Sequence, residues 1–215
     1  PEEDIRRKCA VVPLNYIPEW NMVKPVQKTT VDDTYILSHF GRIYGLRIIE
    51  EFIYAVRLFA DQYPGQKFRI EQYGEFRKTD RRLIHQLGLD PYFVISEKIP
   101  YEECIQKMNE SDGVLLFDTI LPDDGFQPFL PSKLMEYSLL EKDVLAVTTE
   151  KSPSWRILKK TDALACRYDR NDILKGLEDL IIHKKPSKVD YRMTNEEASK
   201  ILQQAIADMD QRGTK

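Results

Sequence analysis

Residues 34–73 read TYILSHFGRIYGLRIIEEFIYAVRLFADQYPGQKFRIEQY, and this stretch decides the fold class. Thr34 to Phe40 is apolar and β-branched, a strand pattern closed by Gly41. From Leu46 to Gln62 the apolar residues Ile48, Ile49, Phe52, Ile53, Val56, Leu58 and Phe59 recur near the 3.6-residue period of a helix. Pro64-Gly65 breaks it, and Lys67 to Tyr73 is a second strand, closed by Gly74. A strand, a helix and a strand in that order predict a parallel pair joined by a helical crossover.

The same unit recurs outward from there. Strands are predicted at Tyr92–Ile95, Gly113–Phe117, Val144–Val147 and Ala163–Cys166. Helices are predicted at Thr79–Leu87, Tyr101–Glu110, Pro131–Leu140, Ser154–Lys160 and Asn171–His183. The reading is α/β: a Rossmann-like parallel sheet of about six strands with helices on both faces. Residues 34–185 form that domain. Residues 1–33 hold a short apolar run, Ala10-Val11-Val12, and a polar, proline-bearing linker; residues 186–215 hold a last helix, Asn195 to Arg212. Both flanks read as pieces that belong to a neighbour. The last helix carries an amphipathic stripe of Ile201, Leu202, Ala205, Ile206 and Met209, which fits either packing on its own domain or crossing to another.

A chain of 215 residues buries roughly 70% of its unfolded surface, enough for a core without disulfides. The net charge of −3 argues against an extended nucleic-acid surface. Cys9, Cys104 and Cys166 are odd in number and far apart, which suggests neither a disulfide framework nor a zinc site and fits a reducing, cytoplasmic setting. No apolar run approaches the ~20 residues of a spanning helix, and no signal peptide is visible. The sequence begins at Pro1 rather than methionine, as a processed product or an excised fragment would.

In open parallel sheets ligands sit at the carboxyl ends of the strands. After the first strand comes Gly41-Arg42-Ile43-Tyr44-Gly45-Leu46-Arg47, whose glycines permit close approach and whose arginines grip phosphate oxygens. The same residues also fit a plain glycine turn with solvated arginines. Pro131-Ser132-Lys133-Leu134-Met135-Glu136-Tyr137 opens a helix with Ser132 and Lys133, while Glu136, one turn on, suits two ribose hydroxyls. Taken alone, a capped helix with a surface glutamate fits it better. Ser96-Glu97-Lys98-Ile99-Pro100-Tyr101 follows the third strand and can meet a base edge, or be only a turn.

In this order the motifs resemble the C-terminal, donor-nucleotide-binding domain of the retaining GT-B glycosyltransferases of family 4. Gly41, Arg42 and Arg47 match that family's Gly-Arg turn with a basic residue six positions after the glycine. Ile99-Pro100-Tyr101-Glu102 is similar to its valine-proline-tyrosine-glutamate segment, and Ser111-Asp112 to its small-residue-plus-Asp pair. Pro131 to Tyr137 is similar to the proline-serine-lysine-x-x-glutamate-tyrosine variant of polysaccharide-assembly members. The likeness runs from about Cys9 to about Leu180.

The resemblance implies a retaining transfer of a sugar from a nucleotide-diphosphate donor to a hydroxyl acceptor, a sugar or a lipid-linked glycan. It implies that Arg42 and Arg47, assisted by Ser132 and Lys133, neutralise the diphosphate without a metal or other cofactor. Glu136 would hold the ribose, and Lys98 and Ile99 would border the base. It implies an N-terminal domain before this one, with Cys9 to Tyr16 as the end of its last strand and the linker, so that the chain by itself is an incomplete enzyme. Members often work at the inner membrane face, which implies peripheral membrane association of the full enzyme.

One departure weighs on this. Many members carry a second glutamate eight positions before the ribose-binding one, and here that place is Pro128; Asp123 and Asp124 stand in the same loop at other spacings. No catalytic residue is therefore assigned. The alternative is a non-catalytic nucleotide-binding module that works with a separate acceptor-binding chain. A sugar-nucleotide epimerase shares the fold, but nothing in these residues selects it. A plain response-regulator-like domain leaves Arg42, Arg47 and Glu136 without a role.

Overall fold

The structure, a computed structural model, describes residues 9–12, 14–17, 24, 33–121, 125, 127–161 and 163–213. Six strands form one parallel sheet: β1 (Tyr35–Phe40), β2 (Phe68–Tyr73), β3 (Phe93–Ser96), β4 (Gly113–Phe117), β5 (Asp143–Val147) and β6 (Leu164–Cys166). Their order across the sheet is β3-β2-β1-β4-β5-β6. The chain winds outward from β1 to β3, then returns to the other side of β1 and winds outward again. The reversal falls between β1 and β4, where an open α/β sheet offers a ligand crevice. β1 and β2 pair along all six residues, Tyr35↔Phe68 through Phe40↔Tyr73. β1 and β4 pair only at Leu37↔Gly113 and Ser38↔Val114.

Strand alternation divides the core into two layers. Leu37, Leu115, Phe117, Leu145 and Val147 face one side. There they meet α1 (Glu50–Gln62) through Phe52, Ile53, Val56 and Phe59, α2 (Lys78–Gln86) through Ile84, and α6 (Arg170–Leu177) through Ile173 and Leu177. Phe40, Val114, Leu116, Val144 and Ala146 face the other side, against α3 (Tyr101–Glu110), α4 (Lys133–Leu139) and α5 (Pro153–Lys160). Burial on both faces explains why β4 is apolar without alternation. α6 approaches β5 and β6 closely because residue 176 is glycine: a Cβ there would lie 2.6 Å from both Cys166 Sγ and Leu145 Cδ1.

Four expectations change. Ala10 to Val12 forms no strand, and Val11 is 85% exposed; a strand needs a neighbour for its amides, and none of the described residues supplies one. The segment touches the rest of the fold further on, where Tyr16 N donates to Met193 O and Asn195 N to Tyr16 O. The helix predicted from Leu46 starts at Glu50, because Gly45 takes a left-handed conformation (φ +55°) and the chain turns there. The helix predicted to His183 becomes a π-turn over Glu178–Ile182, closed by His183 N to Glu178 O at 3.0 Å. Tyr92, given to β3 from sequence, belongs to a 3₁₀ turn over Asp90–Tyr92.

α7 (Asn195–Gly213) opens with a reciprocal cap: Thr194 N donates to Glu197 Oε2 and Glu197 N to Thr194 Oγ1. Of its apolar stripe, Ile201, Leu202, Ile206 and Met209 remain 36–52% exposed. No helix among the described residues is long and apolar enough to cross a membrane.

Candidate functional site

The sequence groups meet at the carboxyl end of the sheet, around the gap between β1 and β4. Gly41 leaves β1 with φ +148°. A Cβ built on it would lie 3.3 Å from Lys133 Cε, so the Lys133 side chain from α4 runs over the Gly41 backbone. The β1 turn and the start of α4 therefore form one surface.

Arg47 is half-buried, and its charge acts on both His39 and Asp118. Its Nη1 donates to Arg42 O at 3.0 Å, and its Nε is buried without a partner. Arg42 is more exposed and engaged elsewhere, with Nε and Nη2 on Glu75 Oε2 at 2.7 and 2.6 Å and the guanidinium over the Tyr44 ring. An exposed pair of this kind is worth about 0.2–1 kcal/mol, which a dianionic ligand can outbid. Ser132 takes a helical conformation, makes no capping bond with its hydroxyl and is exposed. Glu136 lies in the first turn of α4 with Oε2 buried and unpaired. The Tyr101 hydroxyl, at the start of α3, stands beside it; partial burial first and Glu136 second push that phenol up to about 12. Lys98 is exposed and Ile99 half-buried in the β3–α3 turn, where Ile99 O meets Cys104 Sγ at 3.9 Å. Pro128 is exposed, with no acid in its place; Asp123 and Asp124 lie outside the described residues.

The sequence reading missed a polar cluster at the ends of β4 and β5. Asp118 is 1% exposed and accepts from Thr148 Oγ1 through Oδ2 at 2.5 Å. Thr148 Oγ1 also meets Ser152 Oγ at 2.6 Å, and Ser152 caps α5 by accepting from Trp155 N at 3.0 Å. Burial raises the Asp118 carboxyl above its ordinary value, opposed by the Thr148, Ser154 and Ser152 hydroxyls and by the charge of Arg47. None of the hydroxyls closes a bond to Oδ1. Asp118 and Thr148 each directly follow a strand, so the rule that pointed to Gly41 pointed to them as well.

Also missed was His39, 4% exposed on β1, whose Nδ1 stands 2.7 Å from Gln72 Oε1. Burial above all, with help from Arg47 and Lys133, pushes this imidazole down to about 3 against the Gln72 hydrogen bond, so it is neutral. Inside an apolar strand nothing in the sequence marks such a residue.

Among the described residues, five buried side-chain polar atoms lack a hydrogen-bond partner: Arg47 Nε, Asp118 Oδ1, Glu136 Oε2, Thr149 Oγ1 and Ser154 Oγ. All five lie beyond the carboxyl ends of β1, β4 and β5 or in the helices that follow. Each costs about 1–3 kcal/mol unless something satisfies it. Such groups at the carboxyl ends of neighbouring strands each call for a polar partner from outside the described residues.

No family model matches the chain, and no curated protein is detectably similar to it in sequence. Solved structures are similar in fold. The apo form of the lipopolysaccharide outer core galactosyltransferase WaaB superposes with a TM-score of 0.66 at 12% identity, covering 93% of this chain and 56% of that one. The fold is shared with glycosyltransferases. Sucrose-phosphate synthase from Thermosynechococcus elongatus gives 0.63 at 15% identity, covering 99% and 54%. The pneumococcal O-GlcNAc transferase GtfA, in complex with UDP and GlcNAc, gives 0.56 at 11% identity, covering 86% and 35%. The chain thus spans 56% or less of the length of these structures.

Proposed function

We propose that this chain is the donor-nucleotide half of a glycosyltransferase and binds the diphosphate of a nucleotide-diphosphate sugar in the gap between β1 and β4. The observation that carries the reading is that three of the five unpaired buried polar atoms among the described residues, Arg47 Nε, Asp118 Oδ1 and Glu136 Oε2, belong to the segments that follow β1 and β4. Their chemistry fits the ligand: Arg47 supplies a donor and Glu136 an acceptor, with Lys133 as a second cation over Gly41. Arg47, Lys133 and Ser132 hold the diphosphate, joined by Arg42 once it leaves Glu75. Glu136 takes the ribose hydroxyls, and Lys98 and Ile99 border the base. These cations supply the counter-charge, so no metal is needed. The sugar passes with retention to a hydroxyl of a glycan or lipid-linked acceptor held by a second domain. The fold likeness supports this, since GtfA was solved with UDP and GlcNAc.

A second reading has one observation in its favour. With Pro128 in place of an acid, the sugar end lacks the carboxylate that the resemblance calls for, as suits a module that binds a nucleotide without acting on it.

Calorimetric titration with UDP, GDP and ADP, with and without EDTA, tests the proposal. At least one is expected to bind, with affinity unchanged by EDTA. Silence from all three, or loss of binding in EDTA, sinks it. Acceptor-dependent sugar release from the donor, measured with and without an added acceptor-binding domain, separates enzyme from module.

A further inference from the structure

His39 and Gln72 have no part in the contacts proposed so far, yet both are almost wholly buried, at 4% and 3% exposure, beside the Gly41 turn. Gln72 Nε2 donates to Gly41 O at 2.7 Å, and Gln72 Oε1 meets His39 Nδ1 at 2.7 Å. A carbonyl only accepts, so the amide nitrogen must face Gly41 and the amide oxygen must face the imidazole. His39 Nδ1 therefore carries the ring proton, and Nε2 presents a bare lone pair. A Cβ on Gly41 would lie 3.8 Å from that Nε2 and 3.3 Å from Lys133 Cε.

The Gly41 carbonyl is held from a second direction. Gly74 lies directly behind it, and a Cβ on Gly74 would approach Gly41 O to 2.5 Å. Gly41 N donates to Tyr73 O at 2.9 Å and Ile43 N to Glu75 O at 2.8 Å, so the turn is stitched to the continuation of β2. The peptides of the described residues are trans, so the Arg42 N–H points opposite to the Gly41 carbonyl. The carbonyl faces β2, and β1 lies between β2 and β4; the N–H therefore faces the β4 side, where the strands have parted. No described group accepts it.

We infer that Gln72 and His39 are positioning residues that lock the Gly41–Arg42 peptide, so that the Arg42 main-chain N–H is a fixed donor to a phosphoryl oxygen in the gap. The inference rests on the site taking a diphosphate. A donor that cannot rotate loses no orientational freedom on binding, which is where its advantage over a surface side chain lies.

The test uses this chain with ¹⁵N-histidine and two variants. In the wild type, NMR is expected to show His39 protonated at Nδ1 and bare at Nε2. Gln72→Glu keeps the acceptor for His39 but removes the donor to Gly41 O. It is expected to weaken the best-bound of UDP, GDP and ADP about tenfold while leaving the matching nucleoside unchanged. His39→Phe, which keeps a ring beside Phe117, is expected to move the same ratio in the same direction, less far, and carries the test if Gln72→Glu does not fold by circular dichroism. An Nε2-protonated His39, or a diphosphate-to-nucleoside ratio unchanged in the folded variants, overturns the lock alone. A wild type that binds none of the diphosphates overturns the donor role together with the diphosphate reading.

Discussion

At the scale of single residues, charge placement separates the roles proposed for the site. Arg47 keeps a buried Nε without a partner, whereas Arg42 must first release Glu75. Arg47→Ala is expected to weaken nucleoside diphosphate binding about tenfold to a hundredfold, the worth of a charge-assisted contact, and nucleoside binding hardly at all. Glu136→Ala should weaken both, because both carry the ribose; unchanged nucleoside affinity in calorimetry removes that role. His39 gives a second, ligand-free expectation. Its folded value lies near 3, below the ordinary 6.5. Above pH 6.5 it is neutral folded or unfolded and stability does not depend on it. As pH falls below 6.5 the unfolded chain takes up a proton that the folded chain refuses, so stability drops by about 1.4 kcal/mol per unit until about pH 3. His39→Asn should lose one proton's worth of that slope in urea unfolding at pH 7, 5.5 and 4. Equal slopes for the two proteins count against it.

At the scale of elements, strands were legible because two-sided burial writes itself as a run such as Gly113–Phe117, and α3 was legible to its last residue. What composition could not show was which neighbour a segment has. Ala10–Val12 has strand chemistry and no partner strand among the described residues, and the α7 stripe has helical period and leaves Leu202, Ile206 and Met209 about half exposed. The site split the same way. Gly41, Arg47, Lys133 and Glu136 stood out as turn and helix-start residues, whereas His39 and Gln72 sit within strands and acquire meaning only from the β1–β2 register, which sets them side by side. Two substitutions probe the packing. At Gly176→Ala the better helix propensity of alanine, about 1 kcal/mol, opposes a contact at 2.6 Å with the buried Leu145 and Cys166. Overpacking costs about 1–3 kcal/mol, so a net loss of about 1–2 kcal/mol is expected in thermal unfolding. Ile206→Glu, on the exposed stripe, should change stability by less than about 0.5 kcal/mol; a larger loss means that the stripe is covered.

At the scale of the whole molecule, binding and transfer come apart. The contacts proposed for the nucleotide fall within residues 41–136, whereas transfer also needs an acceptor hydroxyl held within ~3–3.5 Å of the sugar carbon. If a second domain holds the acceptor, this chain should bind nucleotide and show no acceptor-dependent nucleotide release in a coupled assay. Turnover matching that of a longer version overturns the division. The sheet itself has an uneven weave, with six paired residues joining β1 to β2 and only two joining β1 to β4. A molecule sewn this way opens first along its thinnest seam. In hydrogen–deuterium exchange the amides of β4 that face β1, near Gly113 and Val114, should trade their protons sooner than those between β1 and β2. A nucleotide gripped from both lips of the gap would act as a basting stitch, slowing exchange on strands it never touches.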